Sequence, residues 1–150
     1  MGAQPGRNGF LAERLDRLFA AVHPADRSPY LLREVVAAVN ESAGEDLLSV
    51  PYLSQLRRGE RTEPSAAIVV GLARFFGVSP DYFFSDYSST EADEHLEVAA
   101  AMRDHAVRQV ALRAAGLSPG ALRAILGMID HARTVENLAD ADEQDSGPAA

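Results

Sequence analysis

The fold of this chain is decided by residues 48–59, which are Leu48-Ser49-Val50-Pro51-Tyr52-Leu53-Ser54-Gln55-Leu56-Arg57-Arg58-Gly59. Ser49 suits a helix N-cap, Pro51 suits the first helical turn, and Gly59 suits the left-handed position that ends a helix. Only Leu53 and Leu56 need to be buried, and a helix of about two turns with so small an apolar side is marginal alone. The neighbouring elements must therefore hold this helix, which leaves most of its surface free to contact another molecule.

Apolar residues at spacings of three and four predict helices on both sides of this segment. Two such helices precede it, at residues 9–22 and 29–42, and two follow it, one ending at Gly77 and a short one starting at Pro80. The short helix carries an aromatic cluster that is expected to close the core rather than bind bases: Tyr82, Phe83 and Phe84. Five helices thus complete a first domain by residue 86.

The rest of the chain predicts a helical hairpin. A long apolar pattern covers residues 91–115, Gly116 breaks it, and a last helix runs from Pro119 to about Leu138. Two amphipathic helices joined by a tight turn cannot bury both apolar faces alone. The simplest partner is a second copy, and the alternative is that the hairpin folds back onto the first domain of a monomer. The expected segments are a flexible leader (1–8), a first domain (9–86), a dimerisation element (91–138) and an acidic disordered tail (139–150).

Composition and charge indicate an intracellular protein without a catalytic centre. The 150 residues contain no cysteine and no apolar run long enough to span a membrane, so a cytoplasmic location is expected. The formal net charge is −8, with nine arginines and eleven carboxylates in residues 1–86 but five arginines and eleven carboxylates in residues 87–150. The four histidines are scattered and no glycine-rich phosphate loop occurs. No enzyme activity, cofactor, metal, membrane or small-molecule ligand is expected.

The short helix and the residues after it resemble the Cro/CI (XRE) helix-turn-helix family. The serine, glycine, basic and proline-serine positions typical of that family are occupied here by Ser49, Ser54, Gly59, Arg61, Pro64 and Ser65. This resemblance covers about residues 9–86. Over residues 9–138 the chain also resembles one branch, the EspR-like regulators of actinobacteria, in residues 51–57 and 102–117. Arg57 departs from the wider family, which usually has glutamate there, and Glu60 takes a position that is usually basic.

The resemblance implies an all-α protein with a five-helix, lambda-repressor-like DNA-binding domain and a C-terminal two-helix dimerisation hairpin. It further implies a homodimeric, nucleoid-associated transcription regulator that bridges sites on double-stranded DNA, with a dimer of dimers left open. The positions that match the groove-facing ones of helix 50–58 are Val50, Pro51, Tyr52, Ser54 and Gln55. The residues expected to contact phosphates are Ser49, Arg57, Arg58 and Arg61. The residues expected at the dimer interface are Leu96, Val107, Val110, Leu122, Ile125 and Ile129.

These residue types predict weak sequence specificity and strong salt dependence. Val50 and Pro51 carry no side-chain donor, whereas Gln55 can pair with N6 and N7 of adenine. If a dimer contacts phosphates with two or three arginines per subunit, the logarithm of its binding constant should fall with the logarithm of the salt concentration at a slope of about −4 to −5. The alternative function is a protein-interaction scaffold with a helix-turn-helix fold but no DNA binding. That alternative is favoured if the three arginines are engaged by carboxylates such as Glu60 or Glu63.

Overall fold

The computed structural model describes residues 7–84 and 89–137, and within those ranges the chain is helical with no strand, which confirms the all-α prediction. The helices are α1 (Arg7–Ala21), α2 (Leu32–Ala43), α3 (Val50–Arg57), α4 (Ala66–Phe76), a 3-10 helix (Pro80–Phe83), α5 (Ser89–Ala101), α6 (His105–Ala114) and α7 (Pro119–Val135). None of these helices is both long and apolar enough to cross a membrane. The chain divides into two compact units, one ending at Arg108 and one beginning at Gln109.

The first unit is built around one apolar core to which α1 to α5 and the 3-10 helix all contribute. Phe19 of α1 meets Phe76 of α4 edge-on, with ring centroids 5.2 Å apart, a favourable arrangement for two aromatic rings. Tyr82 and Phe83 are fully buried, which confirms that these two members of the aromatic cluster close the core, and burial raises the pKa of the Tyr82 phenol. Phe84, the third member of the predicted cluster, is exposed instead.

Both helices before α3 begin elsewhere than the sequence pattern predicts. α1 begins two residues before its predicted start at residue 9, so residues 7 and 8 of the expected leader belong to the helix, while residues 1–6 lie outside the described residues. α2 begins at Leu32 rather than at Pro29. The reason is local: the carboxylate of Glu34 accepts a hydrogen bond from the N–H of Leu31 at 2.7 Å, which satisfies a donor that the helix itself leaves unpaired.

The long helix predicted over residues 91–115 is in fact two helices, α5 and α6. At the break, the guanidinium of Arg103 donates a hydrogen bond to the carbonyl oxygen of Phe75 and lies over its ring, 5.2 Å from the centroid. Asp104 then begins α6, because its Oδ1 accepts hydrogen bonds from the N–H groups of Ala106 at 2.8 Å and Val107 at 3.1 Å. The prediction of one continuous helix was therefore wrong, since a side chain inside the apolar pattern starts a new helix.

α5 belongs to the core of the first unit, which extends that core beyond residue 86. Ala92, Leu96 and Ala99 are all buried there, and Asp93 forms an ion pair with Arg17 of α1. Leu96 is only 7% exposed. The expectation that its side chain lies at a dimer interface must be corrected, because it already packs inside its own unit.

The second unit contains the end of α6 and the whole of α7. Gly116, at φ +85°, makes the turn between them, and the Ser118 hydroxyl caps α7 by accepting a hydrogen bond from the N–H of Ala121 at 3.2 Å. Neither α6 nor α7 has a buried residue. The tail predicted over residues 139–150 lies outside the described residues.

Gly71 of α4 gives a direct test of the packing between α2 and α4. A Cβ at this position would lie 2.8 Å from Cγ1 of Val39, a β-branched and buried side chain that has little room to move. We expect Gly71→Ala to lower the free energy of unfolding by about 1–3 kcal/mol despite its better helix propensity. The measurement is urea denaturation. In the matched control Gly127→Ala, the new Cβ meets nothing within 4 Å, and a loss of stability there equal to that of Gly71→Ala would contradict the explanation.

Candidate nucleic-acid interface

The ends of α3 are set by its own sequence. The Ser49 hydroxyl accepts a hydrogen bond from the N–H of Tyr52 at 3.3 Å, and Pro51 occupies the first turn, where its missing N–H costs nothing. Past the other end, Gly59 adopts φ +74°, a left-handed conformation that glycine enters without a steric penalty. The roles predicted for Ser49, Pro51 and Gly59 in forming this helix are confirmed.

α3 is fixed by packing on one side and by hydrogen bonds just before its N-terminus. Leu53 and Leu56 are fully buried, and α3 packs against both α1 and α2. Asn40 of α2 clamps the residue that precedes the N-cap: its Nδ2 donates to the carbonyl oxygen of Leu48 at 2.8 Å, and its Oδ1 accepts from the N–H of Leu48 at 2.9 Å. Both backbone groups of Leu48 are thereby satisfied, so the start of α3 is fixed relative to α2.

The solvent side of α3 follows from helical spacing. Pro51, Ser54, Gln55 and Arg58 recur at intervals of three and four and share one face, away from the buried leucines. We call these four residues the α3 face. Its members are partly or fully exposed, and of the other predicted groove residues Val50 is 39% exposed and Tyr52 is partly exposed.

Arg57 makes its contacts inside the first unit. Its Nη2 lies 2.6 Å from Oδ1 of Asp16 in α1, and its guanidinium carbon lies 4.3 Å from the centroid of the Phe19 ring. Its Nε is buried without a hydrogen-bond partner among the described residues. These contacts fix α3 against α1 through an ion pair and a cation–π interaction. The sequence assigned Arg57 to a phosphate, whereas the structure engages its guanidinium within the protein.

Arg58, a member of the α3 face, and Arg61, in the loop after α3, are both exposed. Arg58 lies 3.4 Å from Oε2 of Glu60 in an ion pair whose two side chains are more than half exposed. Such a surface pair is worth about 0–1 kcal/mol, so a phosphate can replace the carboxylate. Arg61 donates from Nε to Oε1 of Gln55 at 3.3 Å and forms no ion pair with any described residue.

Ser49 has a structural role that is compatible with the predicted phosphate contact. Its hydroxyl oxygen accepts the capping hydrogen bond from the helix. A serine hydroxyl that accepts one hydrogen bond still has a hydrogen to donate. Ser49 can therefore cap α3 and donate to an anion at the same time.

The remaining predicted dimer residues lie on α6 and α7. Val107 and Val110 are exposed on α6, Ile129 is 39% exposed on α7, and Leu122 and Ile125 are partly exposed on the same helix. On α7, residues 122, 125 and 129 recur at helical spacing and form one apolar stripe, joined by the exposed Leu126. Within the described chain, no residue of this stripe is buried.

Sequence reasoning missed two residues that position α3. The sequence pattern assigns no role to Asn40, and its only signal is a polar side chain next to the buried Val39. Asp16 also went unnoticed, because an exposed carboxylate on α1 looks like ordinary surface until α3 brings Arg57 to it. Arg57 itself was the available signal, because the wider family usually has glutamate there. An arginine in a packed position needs a carboxylate as its partner.

A short capped helix held from behind, with a polar face in solvent, is the arrangement that defines a helix-turn-helix protein. The corresponding family model, described as helix-turn-helix, matches residues 41–83, which include all of α3 and α4. The chain is also 42% identical over 127 residues to the nucleoid-associated protein EspR of Mycobacterium tuberculosis, in both strain CDC 1551 / Oshkosh and strain H37Rv. The match covers 85% of this chain and 95% of each relative. The chain therefore belongs to the EspR family.

Proposed function

We propose that this protein is a DNA-binding, nucleoid-associated regulator of transcription. The observation that carries the proposal is α3, which is held by Leu53, Leu56 and Asn40 while the α3 face remains in solvent. A helix presented in this way fits the major groove of B-DNA. Membership of the EspR family supports DNA as the ligand. It also supports the nucleoid, and thus the cytoplasm, as the place where the protein acts.

In this proposal α3 enters the groove with its first turns toward the bases. Val50, Pro51, Tyr52, Ser54 and Gln55 are then the residues nearest the base edges, as the sequence predicts. Arg58, Arg61 and the Ser49 hydroxyl contact phosphates, while Arg57 serves the DNA indirectly by holding α3 against α1. Shape and thymine methyl contacts dominate at the apolar positions, so sequence preference is weak.

The acting species in this proposal is a homodimer formed by α6 and α7. Both helices leave apolar side chains in solvent within the described chain, and exposed apolar stripes of this kind mark association surfaces. Each subunit then contributes one DNA-binding domain, about residues 9–86 as predicted, together with α5, which shares its core. Two domains on one dimer can hold two DNA sites, and such a dimer bridges DNA.

A second candidate function is a protein-interaction scaffold that does not bind DNA. The observation in its favour is that Arg57 and Arg58 both meet carboxylates, at Asp16 and Glu60. Against it, the Arg58 pair is exposed and exchangeable, and Arg61 meets no described carboxylate. The two candidates differ in whether generic duplex DNA binds at all.

A titration of duplex DNA by fluorescence anisotropy at several salt concentrations separates the two candidates. With Arg58 and Arg61 of two subunits on phosphates, we expect log Kd to rise with log salt at a slope of about 3.6, and at about 1.8 in Arg58→Ala. Arg57→Ala is unsuitable, because its loss would disturb the packing of α3.

The matched control is Arg123→Ala, which removes the same charge from an exposed position of α7. Its affinity and its slope should equal those of the unmodified chain. No binding at low salt would eliminate the regulator and leave the scaffold. An equal loss in Arg58→Ala and Arg123→Ala would show that net charge, and not α3, governs binding.

A further inference from the structure

The loop after α3 folds back onto one residue of the α3 face. The carbonyl oxygen of Gln55 accepts hydrogen bonds from the N–H groups of Glu60 at 2.9 Å and Arg61 at 3.3 Å. The side chain of Arg61 then reaches the side chain of the same glutamine, with Nε donating to Oε1 at 3.3 Å. Gln55 and Arg61 are thus joined through both backbone and side chain, and we call them the Gln55–Arg61 pair.

The chemistry of arginine determines which way the Gln55 amide faces. A guanidinium has five N–H donors and no acceptor, so the atom of Gln55 that meets it must be the carbonyl oxygen Oε1. The NH2 group of Gln55 lies at the other end of the amide and is the end that points away from Arg61. Gln55 therefore has its NH2 donors to offer a ligand, and the terminal nitrogens of Arg61 add further N–H donors to the same pair.

A pair that offers mainly N–H donors matches the major-groove edge of guanine better than that of adenine. In the major groove guanine offers two acceptors, N7 and O6, whereas adenine offers the acceptor N7 next to the N6 amino donor. The bidentate contact of glutamine with adenine, which the sequence alone favours, needs the amide to turn both its carbonyl and its NH2 group to the base. Arg61 opposes that rotation by holding the carbonyl.

We infer that the Gln55–Arg61 pair is the specificity determinant of this interface and selects guanine over adenine at one position of each half-site. The inference rests on the proposed function, because it requires α3 to enter the major groove. In this inference Arg61 contacts the base instead of the phosphate proposed for it above, and it is also the positioning residue for the Gln55 amide.

The test is an in vitro selection from a random duplex library with the full chain, followed by Kd measurements on the selected duplex. We expect guanine at one position, and its replacement by adenine should weaken binding about 5- to 150-fold, the usual discrimination of a bidentate contact. Replacement by 7-deazaguanine, which lacks the N7 acceptor, should also weaken binding. Arg61→Ala should abolish the preference or shift it to adenine, because the freed amide can then turn its carbonyl to N6.

Three single variants separate specificity from affinity. Arg58→Ala should weaken all duplexes alike and keep the guanine preference, since Arg58 contacts only phosphate in our proposal. Gln55→Ala and Arg61→Ala should each lose the preference, and combining them should cost little more than either alone. Salt-dependent binding with an adenine preference, or with a guanine preference that survives in Arg61→Ala, would overturn this inference alone. The absence of binding to any duplex would overturn the proposed function as well.

Discussion

Asn40→Ala is expected to destabilise the fold and to weaken DNA binding together. The substitution removes both partners of Leu48, whose N–H and carbonyl oxygen are each held by the Asn40 amide. Leaving these two groups unpaired in a partly buried site should lower the free energy of unfolding by about 2–6 kcal/mol, at about 1–3 kcal/mol for each lost partner. The start of α3 then loses its fixed position, so we expect DNA affinity to fall tenfold or more in the fraction that remains folded.

Two comparison variants identify the cause. Ser42→Ala changes an exposed residue of the same helix and should alter neither stability nor affinity. Asn40→Asp retains an acceptor for the Leu48 N–H but places a carboxylate against the Leu48 carbonyl, so it should be destabilised as well. Urea denaturation and anisotropy titrations at constant salt provide both readouts. Full DNA affinity in a destabilised Asn40→Ala would contradict a role for Asn40 in positioning α3.

The course of α3 was predictable because its signals are local. Ser49, Pro51 and Gly59 each act within a few residues of their own position, through a cap, a fixed φ and a left-handed turn. The inward side was equally legible, since Leu53 and Leu56 are the apolar residues at helical spacing. For α3, the order of residue types along the chain was therefore enough to predict both its ends and its buried side.

The errors share a different physical origin. The break between α5 and α6 depends on Arg103 reaching the carbonyl oxygen of Phe75, which is distant in sequence. The apolar pattern on either side of the break continues at helical spacing, so periodicity alone joins the two helices. The assignment of Leu96 to a dimer interface was wrong for a related reason. An apolar stripe predicts that one face of a helix is buried, but it does not predict whether the same domain or a second subunit buries it.

The candidate site shows the same division. Exposure of the α3 face followed from helical spacing, but the engagement of Arg57 by Asp16 depends on how α1 lies beside α3. The orientation of the Gln55 amide likewise depends on a loop that returns to it. Residue types predicted which side chains are available for DNA, whereas tertiary contacts determine which atoms those side chains present.

Ile129→Glu is expected to convert the proposed dimer into monomers and to remove most of its affinity for DNA with two sites. Ile129 is 39% exposed on the apolar stripe of α7, so the monomer can accept the change, but an uncompensated carboxylate within a dimer interface is strongly unfavourable. Linking two binding domains raises affinity for paired sites by about 10²–10⁴ without any new contact. We therefore expect a loss of that order on a duplex with two sites and little loss on a duplex with one.

Sedimentation equilibrium measures the assembly independently of DNA, and the expected mass falls from about twice the chain mass of 16.1 kDa to that mass. The matched control is His131→Glu, which introduces the same carboxylate about 200° around α7 from Ile129, on an exposed position away from the stripe. This variant should remain dimeric and keep its affinity for paired sites. A monomeric unmodified chain, or an Ile129→Glu variant that sediments as a dimer, would refute association through α7. The DNA result then tests whether both domains of the dimer bind at once, because only such a dimer loses far more affinity on the paired duplex than on the single one.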